Sequence, residues 1–442
     1  MDALGSWQEA EQAHVEQAIG LWRDAAGHCL HPTLPYSPRD QRKREQAYDR
    51  ALDEVEQHAR RSKRFAPEET ERRLIGSFAR FAVMALDLPV AGVEIITRDF
   101  LPVGTQLARW ARQFDPALST PDIVQACRNA WTACGLQPLM GARLTLTPAI
   151  LGYSLLYPYS DNYLDQRSIS RGDKLRFSER FRSRLRGEPI QPHGNHEISI
   201  WELVGLIEGQ YPRPRFPWVF DSLLAIHKAQ EESLAQLHAG DRCAESEILR
   251  ISCFKGGASV LADAFLVHGI LTAQQRRFAF DWGVLLQLGD DLQDVEEDLE
   301  RGSATLFTRA ISQGRPLDAL ALQLLNFGDT VAAGMEALPH GSRTHKDLLR
   351  MSWRSLVLMA VAQAHQYFSP GLLAALEPRS PFRFAFLRAR RKKLDGKSGL
   401  FRKLFQILLS GNEGAPNELP TPRARQAFPL VPPTALAPDL TV

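Results

Sequence analysis

Apolar residues recur every three or four positions along most of the chain, and the alternation expected of strands is nearly absent, so the pattern predicts an almost wholly helical protein. Only short β-branched runs such as residues 93–97 depart from it. A first helix is expected from Ser6 to about Ala26, before a proline-rich break at residues 31–38. Ser37 and Pro38 suit the N-cap and first position of a second helix reaching about Arg64. That helix is charged on most faces and too poor in apolar residues for a core, which places it outside the main bundle. From residue 67 to about 367 the helical period is sustained, broken where prolines or glycines cluster at 187–194 and 211–217. The expected organisation is therefore N-terminal accessory helices over 1–66, a main helical domain over 67–375, a basic and aromatic helical segment over 376–410, and a disordered proline-rich tail over 411–442. No internal repeat is visible.

Composition narrows this little. With 442 residues, 44% of them hydrophobic, and 53 Lys plus Arg against 51 Asp plus Glu, the chain reads as a soluble globular protein without a general field for nucleic acid. Length alone allows one large helical body or two to three domains. The five widely spaced cysteines, an odd number, fit a reduced cytoplasmic chain. Neither a signal-type apolar core nor a run long enough to span a bilayer is present in the sequence.

Local charge is more informative. Thr272 and Gln275 make a capping box, Gly302 a stop, and Phe278, Trp282, Leu285, Leu292, Val295 and Leu299 an apolar stripe, which predicts one long helix. Gln287, Asp290 or Asp291, Asp294 and Asp298 share a face beside that stripe. Seven acidic residues fall between Asp290 and Glu300 with no basic residue among them. Carboxylates four apart repel, and acids toward a helix C-terminus oppose its dipole, so a cation is called for. A histidine-free oxygen cluster suits Mg²⁺, which keeps waters and bridges carboxylates to phosphates. Upstream, Thr147 and Pro148 open another helix on which Tyr153, Tyr157, Asp161 and Asp165 recur every four residues, with Pro158 expected to kink it.

Together these segments resemble the class I isoprenoid synthases, in which two Asp-rich helices face each other across a cavity. Residues 283–298, GVLLQLGDDLQDVEED, resemble the second Asp-rich motif of the polyprenyl diphosphate synthases, with Gln287 in place of the motif's Gln. Residues 161–172, DNYLDQRSISRG, resemble the first motif and its trailing Arg-Gly, which carries Arg171. Cys253-Phe-Lys255-Gly256-Gly257-Ala258-Ser259 is similar to the segment that contributes a diphosphate-binding lysine, here Lys255. The likeness covers roughly residues 144–307. It departs at Asn162, at Ser170, where an Arg-Arg pair is usual, and in lacking an upstream Gly-Lys-x-x-Arg. The DxxxD spacing is closer to squalene and phytoene synthases and the large-terpene cyclases.

The resemblance implies an all-α class I isoprenoid synthase bundle around a central cavity and Mg²⁺-dependent ionisation of an allylic prenyl diphosphate. Two or three Mg²⁺ ions would be held by Asp161, Asp165, Asp290 and Asp294, with Asp291 and Asp298 as further ligands. Arg171, Lys255 and Gln287 would bind the diphosphate end, and Tyr153 and Tyr157 would line the path of the prenyl chain. Chain elongation or condensation is favoured by the second motif, cyclisation by the missing homoallylic-site residues, and a noncatalytic partner subunit is the alternative of another class. The oligomeric state, including a homodimer, stays open.

Other features carry less. His193, His196 and Glu197 lie in a Pro/Gly loop and read as an ordinary polar loop rather than a metal site. Cys127 and Cys134 read as core residues. The basic, aromatic stretch 382–405 reads first as a final helix on the bundle with a solvated basic face, and second as a peripheral membrane contact for a greasy substrate. No nucleic-acid-binding motif accompanies its charge.

Overall fold

The computed structural model describes residues 3–27, 34–61, 67–165, 168–236, 243–395 and 419–420. Every regular segment among them is helical, with no strand. None of the described helices is long and apolar enough to cross a membrane. The β-branched run that departed from the helical pattern is helix too: α4 (Val90–Ile95) passes through a π-helical turn at Ile96–Phe100 into α5 (Leu101–Phe114).

At the centre stands α11 (Glu245–His268), which is buried on nearly every side, as a helix apolar all round must be. It pairs most extensively with α12 (Ala273–Gln293). On its other sides lie α6 (Thr120–Leu136), α7 (Pro148–Asp165) and α10 (Pro217–Ser233). Outside these, α9 (Gly194–Gln210) covers α7, α8 (Arg171–Arg186) covers α10, and α15 (Asp318–Glu336) and α16 (Arg343–Gln363) cover α12. The α11–α12 pair is close because Gly256 faces Gly283. A Cβ on Gly256 would lie 2.5 Å from the Gly283 carbonyl oxygen, and one on Gly283 would overlap the Gly256 carbonyl. Backbone therefore touches backbone there, which any larger side chain forbids.

Two expectations change. The first helix, α1 (Ala3–Asp24), is no accessory: Trp7, Val15, Ala18 and Trp22 enter the main core, and the helix lies across α11, α12 and α15. The single long helix from Thr272 to Gly302 is broken at Asp294, whose φ of −97° and ψ of 14° end α12 and begin α13 (Val295–Arg301). That break reverses the dipole argument, because Glu296, Glu297 and Asp298 now occupy the first turn of a helix, where negative charge is favoured. The capping box at Thr272 and the left-handed Gly302 stop are as expected. The helix α7 carries Pro158 inside its span and reaches Asp165.

The polar helix α2 (Pro38–Arg61) does lie off the main core. It packs on α3 (Pro67–Met84) and on the far end of the chain, where Tyr48, Phe81, Phe382 and Phe386 build a second, small core. Glu45 binds the Arg383 guanidinium at 2.5 and 2.9 Å, Gln41 donates to the carbonyls of Glu377 and Ser380, and Asp49 takes Arg390 at 2.5 Å. The basic segment thus begins as α18 (Phe384–Asp395), packed on α16. Phe382 and Phe384 are buried, which removes them from any membrane-facing surface, and residues 396–405 lie outside the described residues. Of the tail expected to be disordered, Leu419 and Pro420 are described, and they dock: Leu419 is buried in the main core and the Trp110 indole donates to the Pro420 carbonyl at 2.8 Å. The rest of 411–442 lies outside the described residues.

Candidate active site

A cavity of about 370 Å³ lies between α6, α7, α8, α10, α11, α12 and α16. Lys255, Gln287, Asp290 and Arg128 supply one polar stretch of its wall, while Leu156, Leu223, Ile226, Val260 and Leu286 supply much of the rest. The glycine contact explains the juxtaposition. Because Gly256 and Gly283 let α11 and α12 touch, the residues beside them, Lys255 on one helix and Gln287 and Asp290 on the other, open onto the same space. Gly256 and Gly257 sit inside α11, with Gly257 against the Phe280 ring.

The carboxylates are electrostatically unrelieved. Burial holds Asp290 above the ordinary range, Asp294 pushes it further, and Arg128 and Lys255 pull it back. Asp298 is pushed up to about 6 by burial and then by Asp294, against the pull of Lys255. Asp291 behaves differently. It is fully buried and pushed up to about 7 chiefly by desolvation, yet both its oxygens are used: one accepts from Gln287 Nε2 at 2.7 Å, the other from the Ser252 hydroxyl at 3.1 Å. It therefore ties α12 to α11 and orients Gln287 rather than facing the cavity.

Tyr153 lines the cavity from α7. Tyr157, Asp161 and Asp165 belong to the same helix, but their side chains lie outside the described residues. Arg171 opens α8 as an exposed residue and is not among those lining the cavity; Ser170, which stands where an arginine was usual, caps that helix by accepting from Asp173 N at 3.1 Å.

Three lining residues carried no signal strong enough to be singled out from the sequence: Arg128, His227 and Asp263. His227 Nε2 lies 3.0 Å from the Ser178 hydroxyl, which also donates to Glu231, itself held by Arg182. This is not a nucleophile relay, since the acid contacts the serine and not the second imidazole nitrogen, and burial keeps the imidazole neutral. The stretch expected as a loop is instead the start of α9, with His193 at the N-cap and His196 and Glu197 in the first turn, and its role is structural. Glu197 clasps Arg180 at 2.7 and 2.8 Å, and His196 bonds the Tyr159 carbonyl and stacks on Tyr163. Cys127 and Cys134 are buried, and burial pushes both thiols up.

Among the described residues no group of three or more His, Cys, Asp or Glu stands in a metal-holding arrangement. Mg²⁺ does not need one, because it is commonly held by one or two carboxylates together with water and phosphate oxygens. Asp290 and its neighbours fit that role in donor type, being hard oxygens whose mutual repulsion a cation would relieve. No known protein family and no curated protein matches this chain.

Proposed function

We propose that the protein is a Mg²⁺-dependent isoprenoid synthase that ionises an allylic prenyl diphosphate and joins carbon to carbon. The observation that carries this reading is the cavity wall on which a strained acid, Asp290, and two cations, Lys255 and Arg128, adjoin an apolar interior. Such a wall suits a molecule with a multiply charged head and a hydrocarbon body. Bound Mg²⁺ would supply charge neutralisation on the diphosphate as its C–O bond breaks. Asp290 would hold it, with Asp294 and Asp298 on the following turns. Lys255 and Arg128 would bind the remaining phosphate charge, and Asp291 keeps Gln287 aimed beside them. Leu156, Ile226, Val260 and Leu286 exclude water from the hydrocarbon, and the Tyr153 ring offers a face to positive charge on carbon.

The test is incubation with Mg²⁺ and prenyl diphosphates of graded length, with and without isopentenyl diphosphate, reading products by mass spectrometry. An elongated diphosphate identifies chain elongation, and a joined dimer identifies squalene-type condensation. A hydrocarbon or alcohol from one substrate identifies a cyclase. Absence of turnover with every substrate, from folded protein, would overturn the enzyme reading and favour a noncatalytic subunit.

A further inference from the structure

Asp263 lies in the apolar middle of α11, flanked by Ala262 and Ala264, and it lines the same cavity. It is 3% exposed, and its Oδ1 is buried with no hydrogen-bond partner. Burial alone pushes this carboxyl well above the usual range, which favours its protonated form, with one hydrogen to donate and oxygens to accept. The other buried acids among the described residues have partners. Asp291 uses both oxygens on Gln287 and Ser252, Asp281 lies 3.7 Å from Arg277, and Glu197 holds Arg180. A polar group buried without a partner lowers stability, and an apolar residue of similar shape at the same position would not. A site that keeps such a group is where function and stability compete.

Its position gives it an address. Lys255, Ser259 and Asp263 recur every four residues along one face of α11, and all three line the cavity. Eight residues of helix rise about 12 Å, so Asp263 stands about that far along the wall from the charged end at Lys255. We propose that Asp263 is a ligand-binding residue, whose carboxyl group hydrogen-bonds an uncharged polar group, a hydroxyl in the first instance, carried on the part of the bound molecule remote from its anionic head. Under the synthase reading, on which this substrate class rests, the natural ligand is an oxygen-bearing prenyl chain and not a plain hydrocarbon one.

Two probes separate these outcomes: geranyl thiolodiphosphate, which does not ionise readily, and its terminally hydroxylated counterpart, each titrated calorimetrically in Mg²⁺ into wild type, Asp263→Asn and Asp263→Leu. The expected result is a preference for the hydroxylated probe of about tenfold in wild type, reduced in Asp263→Asn and absent in Asp263→Leu. Equal affinities in wild type, or a preference that survives in Asp263→Leu, would overturn the proposal. If neither probe binds wild type, Asp263 is tested without the synthase reading, by thermal unfolding with octan-1-ol and with its methyl ether. A larger upward shift with the alcohol, in wild type but not in Asp263→Leu, supports the assignment, and equal shifts overturn it. Should Asp263→Leu not fold, the same comparisons are read from Asp263→Asn.

Discussion

The α11–α12 seam and the clasp formed by α2, α3 and α18 both bring acidic residues to a helix interface, and they treat them in opposite ways. In the clasp three acids of α2 each meet a base: Glu45 with Arg383, Asp49 with Arg390, Glu54 with Arg80. At the seam Asp290, and on the following helix Asp298, are desolvated beside further carboxylates, with Lys255 shared between them. The seam is held by close backbone contact and the clasp by aromatic rings and ion pairs. Acids whose charge is satisfied report architecture. Acids left unrelieved against a cavity mark where a ligand is expected to complete the balance.

Gly283→Ala should break the comparison most severely. The added methyl overlaps the Gly256 carbonyl, so the helices must part. A loss of about 3 kcal/mol in denaturant unfolding is expected, together with loss of Mg²⁺-dependent diphosphate binding. Asp290→Ala should separate the two properties: turnover on a prenyl diphosphate falls on the order of a hundredfold while thermal stability is kept or raised, because an unrelieved buried acid has been removed. Near-normal turnover in that variant would sink the metal assignment. Glu45→Gln should do the reverse, lowering stability by about 1–3 kcal/mol and leaving turnover in place.

A smaller effect sharpens the contrast through pH. Asp298 holds its proton up to about pH 6 in the folded state, against about 4 when unfolded. Its contribution to stability is therefore present below about pH 4 and lost as pH rises through about 6. Metal-free wild type should lose stability relative to Asp298→Asn between pH 4 and 7, and Mg²⁺ with inorganic diphosphate should reverse the loss. Smallest is the tail. Leu419→Ala should lower stability by about 1 kcal/mol through the contact beside Trp110 without changing turnover, which unfolding and product assays on the same sample would show.

Much of the helical plan was legible because its signals are local. The Thr272–Gln275 box, the Gly302 stop, the Ser37 cap and the proline-rich breaks each depend on residues within a turn of one another. What escaped depends on distant partners. No local pattern tells that Gly256 and Gly257 face Gly283 and Phe280. The amphipathic pattern of α1 is visible as Trp7, Val15, Ala18 and Trp22, but nothing local says that it covers the central pair. At the site, Asp290, Gln287 and Lys255 were singled out by pattern and the fold brings them to one cavity, whereas Arg128 had no motif to betray it. Asp263 had a faint one, a lone acid eight residues after Lys255 in an otherwise apolar stretch of helix.

The clasp also dictates an order of events during synthesis. The bonds from Gln41, Glu45 and Asp49 span 336, 338 and 341 residues, so these partners of α2 are made long after it. The α11–α12 hairpin joins neighbouring helices across a short turn and can close as soon as it leaves the ribosome. Throughout that interval Tyr48 and Phe81 lack the Phe382 and Phe386 rings that cover them in the finished protein, and transiently exposed apolar surface of this kind is what makes folding intermediates prone to aggregate.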